Sequence, residues 1–97
     1  VEFSDKKTGE RVRLGVDFVR LLAAGETIAT AAVTATVLRE TDATPAALLD
    51  GAAAIEGTTI WQTVHDGVAG VYYVLEFTAT TSLGHIFIER ATLEVAA

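Results

Sequence analysis

His65 and Asp66 are the adjacent pair in this chain that suggests acid–base chemistry. A general base and the carboxylate that orients it must share hydrogen-bond geometry. Neighbours on a strand point to opposite faces, so the pair reads as an exposed imidazole beside a turn aspartate. His85 follows the turn glycine Gly84 and has no partner at ligand spacing, and two histidines so far apart make no metal signature. Ser4 and Ser82 lie outside any Gly-x-Ser-x-Gly elbow. Asp42, Asp50 and Asp66 are too scattered for a calcium loop, which needs oxygen ligands at alternate positions. The glycines match no phosphate-cradling motif. The absence of cysteine excludes disulfides, thiolate zinc sites and cysteine nucleophiles. Trp61 and Tyr72 could stack on a sugar ring, but carbohydrate platforms usually show more aromatics, and half-exposed strand aromatics are the plainer reading. No set of base, nucleophile and oxyanion donors can be assembled from these residues. The sequence therefore points away from an enzyme and implies no cofactor and no metal.

The elements that position these side chains follow from composition and periodicity. The 97 residues suffice for one compact domain, read as 1–97. About half of the residues are apolar and one is proline, which is too hydrophobic for a disordered tail. No apolar run approaches the roughly 18 residues of a membrane span. No segment has the order of a signal peptide, and a leader removed before Val1 is left open. The net charge of −6 repels phosphates, and the loose basic cluster "KKTGERVR" reads as a solvated strand entry, not a nucleic-acid contact.

Residues 10–18 alternate, with Val12, Leu14, Val16 and Phe18 on one parity, and predict a half-buried strand. Asp17 then predicts a cap for a short helical turn carrying Val19, Leu21 and Leu22, ended by Gly25, that plugs the core. The Thr- and Val-rich run 26–39 predicts a strand. Ile28 has the opposite parity to Val33, Ala35 and Val37, so a bulge is expected near Thr30–Ala31. Thr44, Pro45 and Gly51 predict a helix of one or two turns, with "AAAIEG" leading into the next strand. In 58–67, Ile60, Gln62 and Val64 face one way and Trp61, Thr63 and His65 the other, before a turn at Asp66-Gly67 that Gly70 finishes.

"VYYVLEFTAT" is the strongest strand, with Tyr73, Leu75, Phe77 and Ala79 on its inner face. "TSLG" links it to the closing strand "HIFIERATLEV" in a hairpin, with Gly84 supplying positive φ. Ala91, Leu93 and Val95 look inward. That parity carried back puts Phe87 and Glu89 inside and leaves Ile86 and Ile88 outside. A buried carboxylate is costly without a partner. Either Glu89 pairs with an arginine, or a bulge at Glu89–Arg90 turns Ile86 and Ile88 inward, and the bulge is the favoured expectation.

Apolar residues occur on both parities. Trp61, Val71, Val74 and whichever of Ile86 and Phe87 lies outside have no sheet to cover them, whereas a monomeric sandwich would place polar groups there. Contiguous exposed apolar surface marks a partner interface. Trp61, His65, Tyr72 and Val74 are the candidate partner-facing residues.

"GETI" at 25–28 and "IEGTTIWQTVHDGVAGVYYVLEFTATTSLGHIFIERATLEV" at 55–95 resemble a group of small structural proteins of tailed bacteriophages and prophages, described as fibre–tail adaptor or related virion proteins. The matching positions include Gly57, Thr58, Thr59, Gly67, Gly70, Tyr73, Thr80, Thr81, Ser82, Gly84, Glu89, Arg90, Leu93 and Val95. The chain departs from the pattern by one extra residue between Gly84 and Glu89 and by a more helical 41–54 connection. The resemblance implies an all-β fold, an Ig-like antiparallel β-sandwich of about six or seven strands, to which the residue-level reading adds one or two short helical turns. It implies a non-enzymatic virion protein of the tail, fibre adaptor or connector region, assembled in the bacterial cytoplasm. Its partners would be other virion proteins or further copies of itself, not nucleic acid and not membrane. An alternative is an extracellular bacterial Ig-like binding or spacer module, with carbohydrate bound through Trp61 and Tyr72.

Overall fold

The computed structural model describes residue 3 and residues 5–97. Among these the chain forms seven strands and one 3-10 turn. The strands are β1 (Lys6–Lys7), β2 (Val12–Asp17), β3 (Ile28–Arg39), β4 (Leu49–Glu56), β5 (Thr59–Val64), β6 (Tyr72–Thr81) and β7 (Ile86–Ala96), with the 3-10 turn at Pro45–Leu48. They build two sheets, of order β1-β7-β6-β3 and β2-β5-β4. All pairings are antiparallel except that of β1 with β7, so the larger sheet is mixed and not wholly antiparallel.

Period-two alternation does most of the sorting. Along β6 the odd-numbered residues Tyr73, Leu75, Phe77 and Ala79 are fully buried, and the even-numbered ones are half-buried on the outer face. In β7, Ala91, Leu93 and Val95 meet them from the next strand. Ile60 and Val64 on β5, with Val16 and Phe18 from β2 and its exit, close the core from the other sheet. Each large side chain fully withdrawn from water contributes roughly 1.5–3 kcal/mol, so this set is the main driving force for folding. The bulge expected in β3 is present one or two residues early: the register with β6 shifts between Ile28 and Thr30. Ile28 can therefore pack inward together with Ala35, although their parities differ.

Several expectations need correction. No helix follows Asp17. Its carboxylate accepts the Val19 N–H (2.9 Å) in a short turn, Val19 and Leu21 stay exposed, and only Leu22 of the expected plug packs on the core. The local side-chain bond offers the backbone an alternative to the helical ladder. The second helix shrinks to the four residues Pro45–Leu48, with no side-chain cap from Thr44. Gly51 (φ 78°) does not end it but sits inside β4, at a register irregularity between Asp50 and Ala54. "AAAIE" is thus strand, not a lead-in, despite its alanines. Pairing with β5 overrides helix propensity there, and the buried Gln62 amide donates to the Gly51 carbonyl at 3.1 Å.

The bulge at Glu89–Arg90 does not occur. The β6–β7 register runs unbroken from Tyr72↔Glu94 to Thr80↔Ile86, and Ile86 and Ile88 are exposed. Glu89 keeps the inner parity without being sealed in. It is half-buried and lines a groove of about 540 Å³ with Val16, Asp17, Val19, Arg20 and Leu21, so its carboxylate remains hydrated at the rim of the core. Val71, expected outside, is buried at 2% exposure in the core.

Candidate partner-binding surfaces

The four partner-facing candidates divide between the two sheets. Trp61 and His65 belong to the outer face of the β2-β5-β4 sheet, because β5 turns Ile60, Gln62 and Val64 inward. Trp61 pairs with Gly15 on β2 and Ala54 on β4. Its ring lies directly over Gly15: a Cβ there would meet Trp61 Cε3 at 2.5 Å. The Arg13 guanidinium covers the ring at 4.4 Å from its centroid and is held by Glu56 in an ion pair. Trp61 is therefore a half-buried, cation-capped plate, not a bare apolar patch.

His65 is half-buried beyond the end of β5. Its Nδ1 lies 3.4 Å from Asp66 Oδ2. The expectation that these neighbours face apart fails because Asp66 has φ 51°, which breaks the alternation of the strand. Asp66 is largely exposed, and among the described residues no group of three or more histidine, cysteine or acidic side chains could hold a metal ion.

Tyr72 and Val74 lie on the opposite side of the molecule, on the outer face of the larger sheet. Val74 pairs with Thr36 and Thr92, and Tyr72 with Arg39 and Glu94. The Arg39 guanidinium stands 5.6 Å from the Tyr72 ring centroid. The Glu94 carboxylate pushes the Tyr72 hydroxyl above its ordinary pKa. Phe3, Asp5, Leu38, Arg39, Tyr72, Thr92 and Glu94 surround a shallow cleft of about 270 Å³. Trp61 and Tyr72 cannot form one sugar platform, since they lie on the outer faces of different sheets.

Two polar clusters went unforeseen. At one end of the fold the Glu26 carboxylate is 1% exposed. It accepts hydrogen bonds from the Thr81 hydroxyl and the Ala23 N–H (2.9 Å), and its Oε2 lies 2.8 Å from His85 Nδ1. The Thr81 hydroxyl first, and then the Ala23 N–H, hold the carboxyl below its ordinary range. His85 thus has a partner 59 residues away, which no local spacing could reveal. In the second cluster the buried Tyr73 hydroxyl donates to Asp42 Oδ2 (2.7 Å) and accepts the Val68 N–H (3.0 Å). Nearby, the buried Lys6 ammonium donates to the carbonyls of Asp66 (2.6 Å) and Lys7 (2.8 Å), and burial pulls its pKa down. Every buried side-chain polar atom among the described residues has a partner. Satisfied networks of this kind fix geometry.

Comparison with known proteins identifies the family. A family model described as the podophage GP4 fiber-tail adaptor protein gp77 matches residues 6–94. The chain belongs to this family. Comparison with curated proteins found no match. The adaptor is accordingly a structural component of the phage tail and not an enzyme, and its work as a link between fibre and tail is to bind other virion proteins.

Proposed function

We propose that the chain is an Ig-like adaptor that joins two virion components through opposite faces, the Trp61–His65 face of one sheet and the Tyr72–Val74 face of the other. The observation that carries this reading is the placement of the four residues, two on each outer surface. A link needs two separate contact areas, and each of these offers an aromatic ring beside an arginine, the residue types that dominate binding energy at protein interfaces.

The Ig-like reading is supported by topology and by one side chain. The orders β7-β6-β3 and β2-β5-β4 correspond to the G-F-C and B-E-D strands of an immunoglobulin sandwich. Tyr73 near the start of β6, bonded back to the Val68 backbone, has the form of a tyrosine corner. We read residues 1–97 as a single domain of this kind. Its net charge of −6 favours protein partners over nucleic acid, and among the described residues no helix is long and apolar enough to cross a membrane.

The test uses purified fibre and adaptor-free tail particles as separate binding partners. Trp61→Ala should weaken binding to one of the two and spare the other, and Tyr72→Ala should show the reverse. If both substitutions weaken the same interaction, or neither changes any, the two-face reading is wrong.

A further inference from the structure

Among the described residues, the outer edge of β7 is unpaired at Ile86 and Ile88. Thr81 N–H donates to His85 C=O at 2.9 Å, which makes these opposed residues a hydrogen-bonded pair. Antiparallel ladders alternate, so Ala79/Phe87 and Phe77/Glu89 are also bonded pairs, whereas Thr80/Ile86 and Thr78/Ile88 are not. The N–H and C=O groups of Ile86 and Ile88 therefore point away from β6. The same alternation turns the Thr92 carbonyl outward, and there it accepts the Phe3 N–H at 2.9 Å. β1 pairs only with Val95 and Ala96. Among the described residues nothing hydrogen-bonds the outward backbone of Ile86 and Ile88, and their side chains are 64% and 46% exposed. A flat, apolar, unpaired edge is a template for another strand.

We infer that this edge pairs with the same edge of a second copy, antiparallel, with Ile86 opposite Ile88 of the second copy. The sequence fits itself in that register. Ile86 and Ile88 would exchange all four outward hydrogen bonds across the two-fold axis and stack isoleucine on isoleucine. Phe87 meets its own counterpart in a non-hydrogen-bonded pair. Glu89, whose side chain has no hydrogen bond or ion pair to a described residue, falls opposite His85 of the second copy. Nδ1 of His85 is taken by Glu26, so the ring can also donate from Nε2 to that carboxylate when it carries both protons. The neighbouring registers are worse. One step along sets Ile86 against Arg90, and one step back sets Ile88 against Gly84. The interface is small and its affinity correspondingly modest, but copies held close together in a virion would pair at a high effective concentration. The inference rests on the reading that this protein acts by packing against proteins, and it adds a self-contact to the two faces assigned above.

The purified chain decides it. Wild type should show a concentration-dependent monomer–dimer equilibrium in sedimentation velocity. Ile88→Pro removes an N–H that bonds nothing in the sheet, so it should leave the circular dichroism spectrum intact and weaken dimerisation by about tenfold or more. Should the proline variant not fold, Ile86→Lys/Ile88→Lys makes the same test without constraining the backbone. The chain lacks cysteine, so single substitutions report the register. Phe87→Cys should oxidise to a disulfide-linked dimer, because its Cα would lie about 4.5 Å from its counterpart. Ile88→Cys should not, because its counterpart would lie beyond the roughly 7 Å that a disulfide spans. A wild type that remains monomeric with Phe87→Cys uncrosslinked overturns the inference. So does an Ile86→Lys/Ile88→Lys variant that dimerises as well as wild type, or equal crosslinking at both positions. Loss of dimerisation with fibre and tail binding retained would isolate this contact from the two-face reading. Loss of face-specific binding with dimerisation retained would do the converse.

Discussion

Replacing Tyr73 by phenylalanine removes a single oxygen from a buried polar junction of the fold. The ring stays, fully buried, so the hydrophobic contribution is unchanged. The missing hydroxyl leaves Asp42 without its donor at 2.7 Å and Val68 N–H without its acceptor at 3.0 Å. Val68 is 45% exposed and its N–H can turn to water, so that loss adds little. Hydrogen bonds to charged groups contribute roughly 1.5–3 kcal/mol, and the expected destabilisation for the Tyr73 hydroxyl is about 2 kcal/mol at pH 7. For a domain of this size 1 kcal/mol corresponds to roughly 4–8 °C in Tm, so calorimetry should show a fall of about 8–16 °C. The pH dependence tests the cause. The Tyr73 hydroxyl, followed by the Thr44 N–H, holds the Asp42 carboxyl below its ordinary value. A depressed carboxyl contributes stability that is present above its unfolded pKa of about 3.9 and is lost as pH falls through the lower folded value. The gap between wild type and Tyr73→Phe should therefore narrow below about pH 4. A loss under about 0.5 kcal/mol at pH 7, or a gap that widens in acid, would refute the argument.

Three further outcomes follow from the packing. Phe77→Ala, in the centre of the core with its ring edge-on to Phe3 at 6.2 Å, should cost roughly 3–5 kcal/mol in urea unfolding; a loss under about 0.5 would mean that the inner face of β6 has been misassigned. Gly15→Ala should displace the Trp61 ring and cost about 1–3 kcal/mol, with a shift in tryptophan fluorescence that reports the movement. Glu26→Gln keeps the shape of the side chain but lacks the ionised state that Thr81, Ala23 and His85 favour. The variant should be less stable than wild type at neutral pH and should approach it as pH falls below the ordinary glutamate value of about 4.3.

Legibility in the sequence tracked the range of the interaction. The inner faces of β2, β5, β6 and β7 were readable because burial on one side of a strand writes itself as period-two alternation. The bulge in β3 was readable for the same reason, as a break in parity at Ile28. β4 was not. Its alanines carry no β signal, and it is a strand only because β5 lies beside it. The helical turn after Asp17 failed because a side-chain bond to Val19 captured the backbone locally. Glu89 misled because parity states which way a residue points and not whether anything covers it there, and at that end of β7 little does. The partner-facing candidates were found by asking which apolar residues lie outside. The arginines that cap Trp61 and Tyr72, and the fact that the two rings face opposite ways, depend on cross-strand register. Glu26 with His85, and Tyr73 with Asp42, are separated by 59 and 31 residues, and only the folded topology brings them together.

The parallel pairing of β1 with the end of β7 has a mechanical consequence. Lys6 lies beside Val95 and Lys7 beside Ala96, so β1 clamps the C-terminal end of β7 along its outer edge. The Glu26–His85 corner lies at the far end of β7, an 11-residue strand that spans roughly 35 Å. The body is a rod of 43 × 20 × 19 Å. A tension applied between something gripping the β1 end of β7 and something gripping that corner would load β6 and β7 lengthwise, across their many hydrogen bonds in shear, rather than peel them apart one at a time.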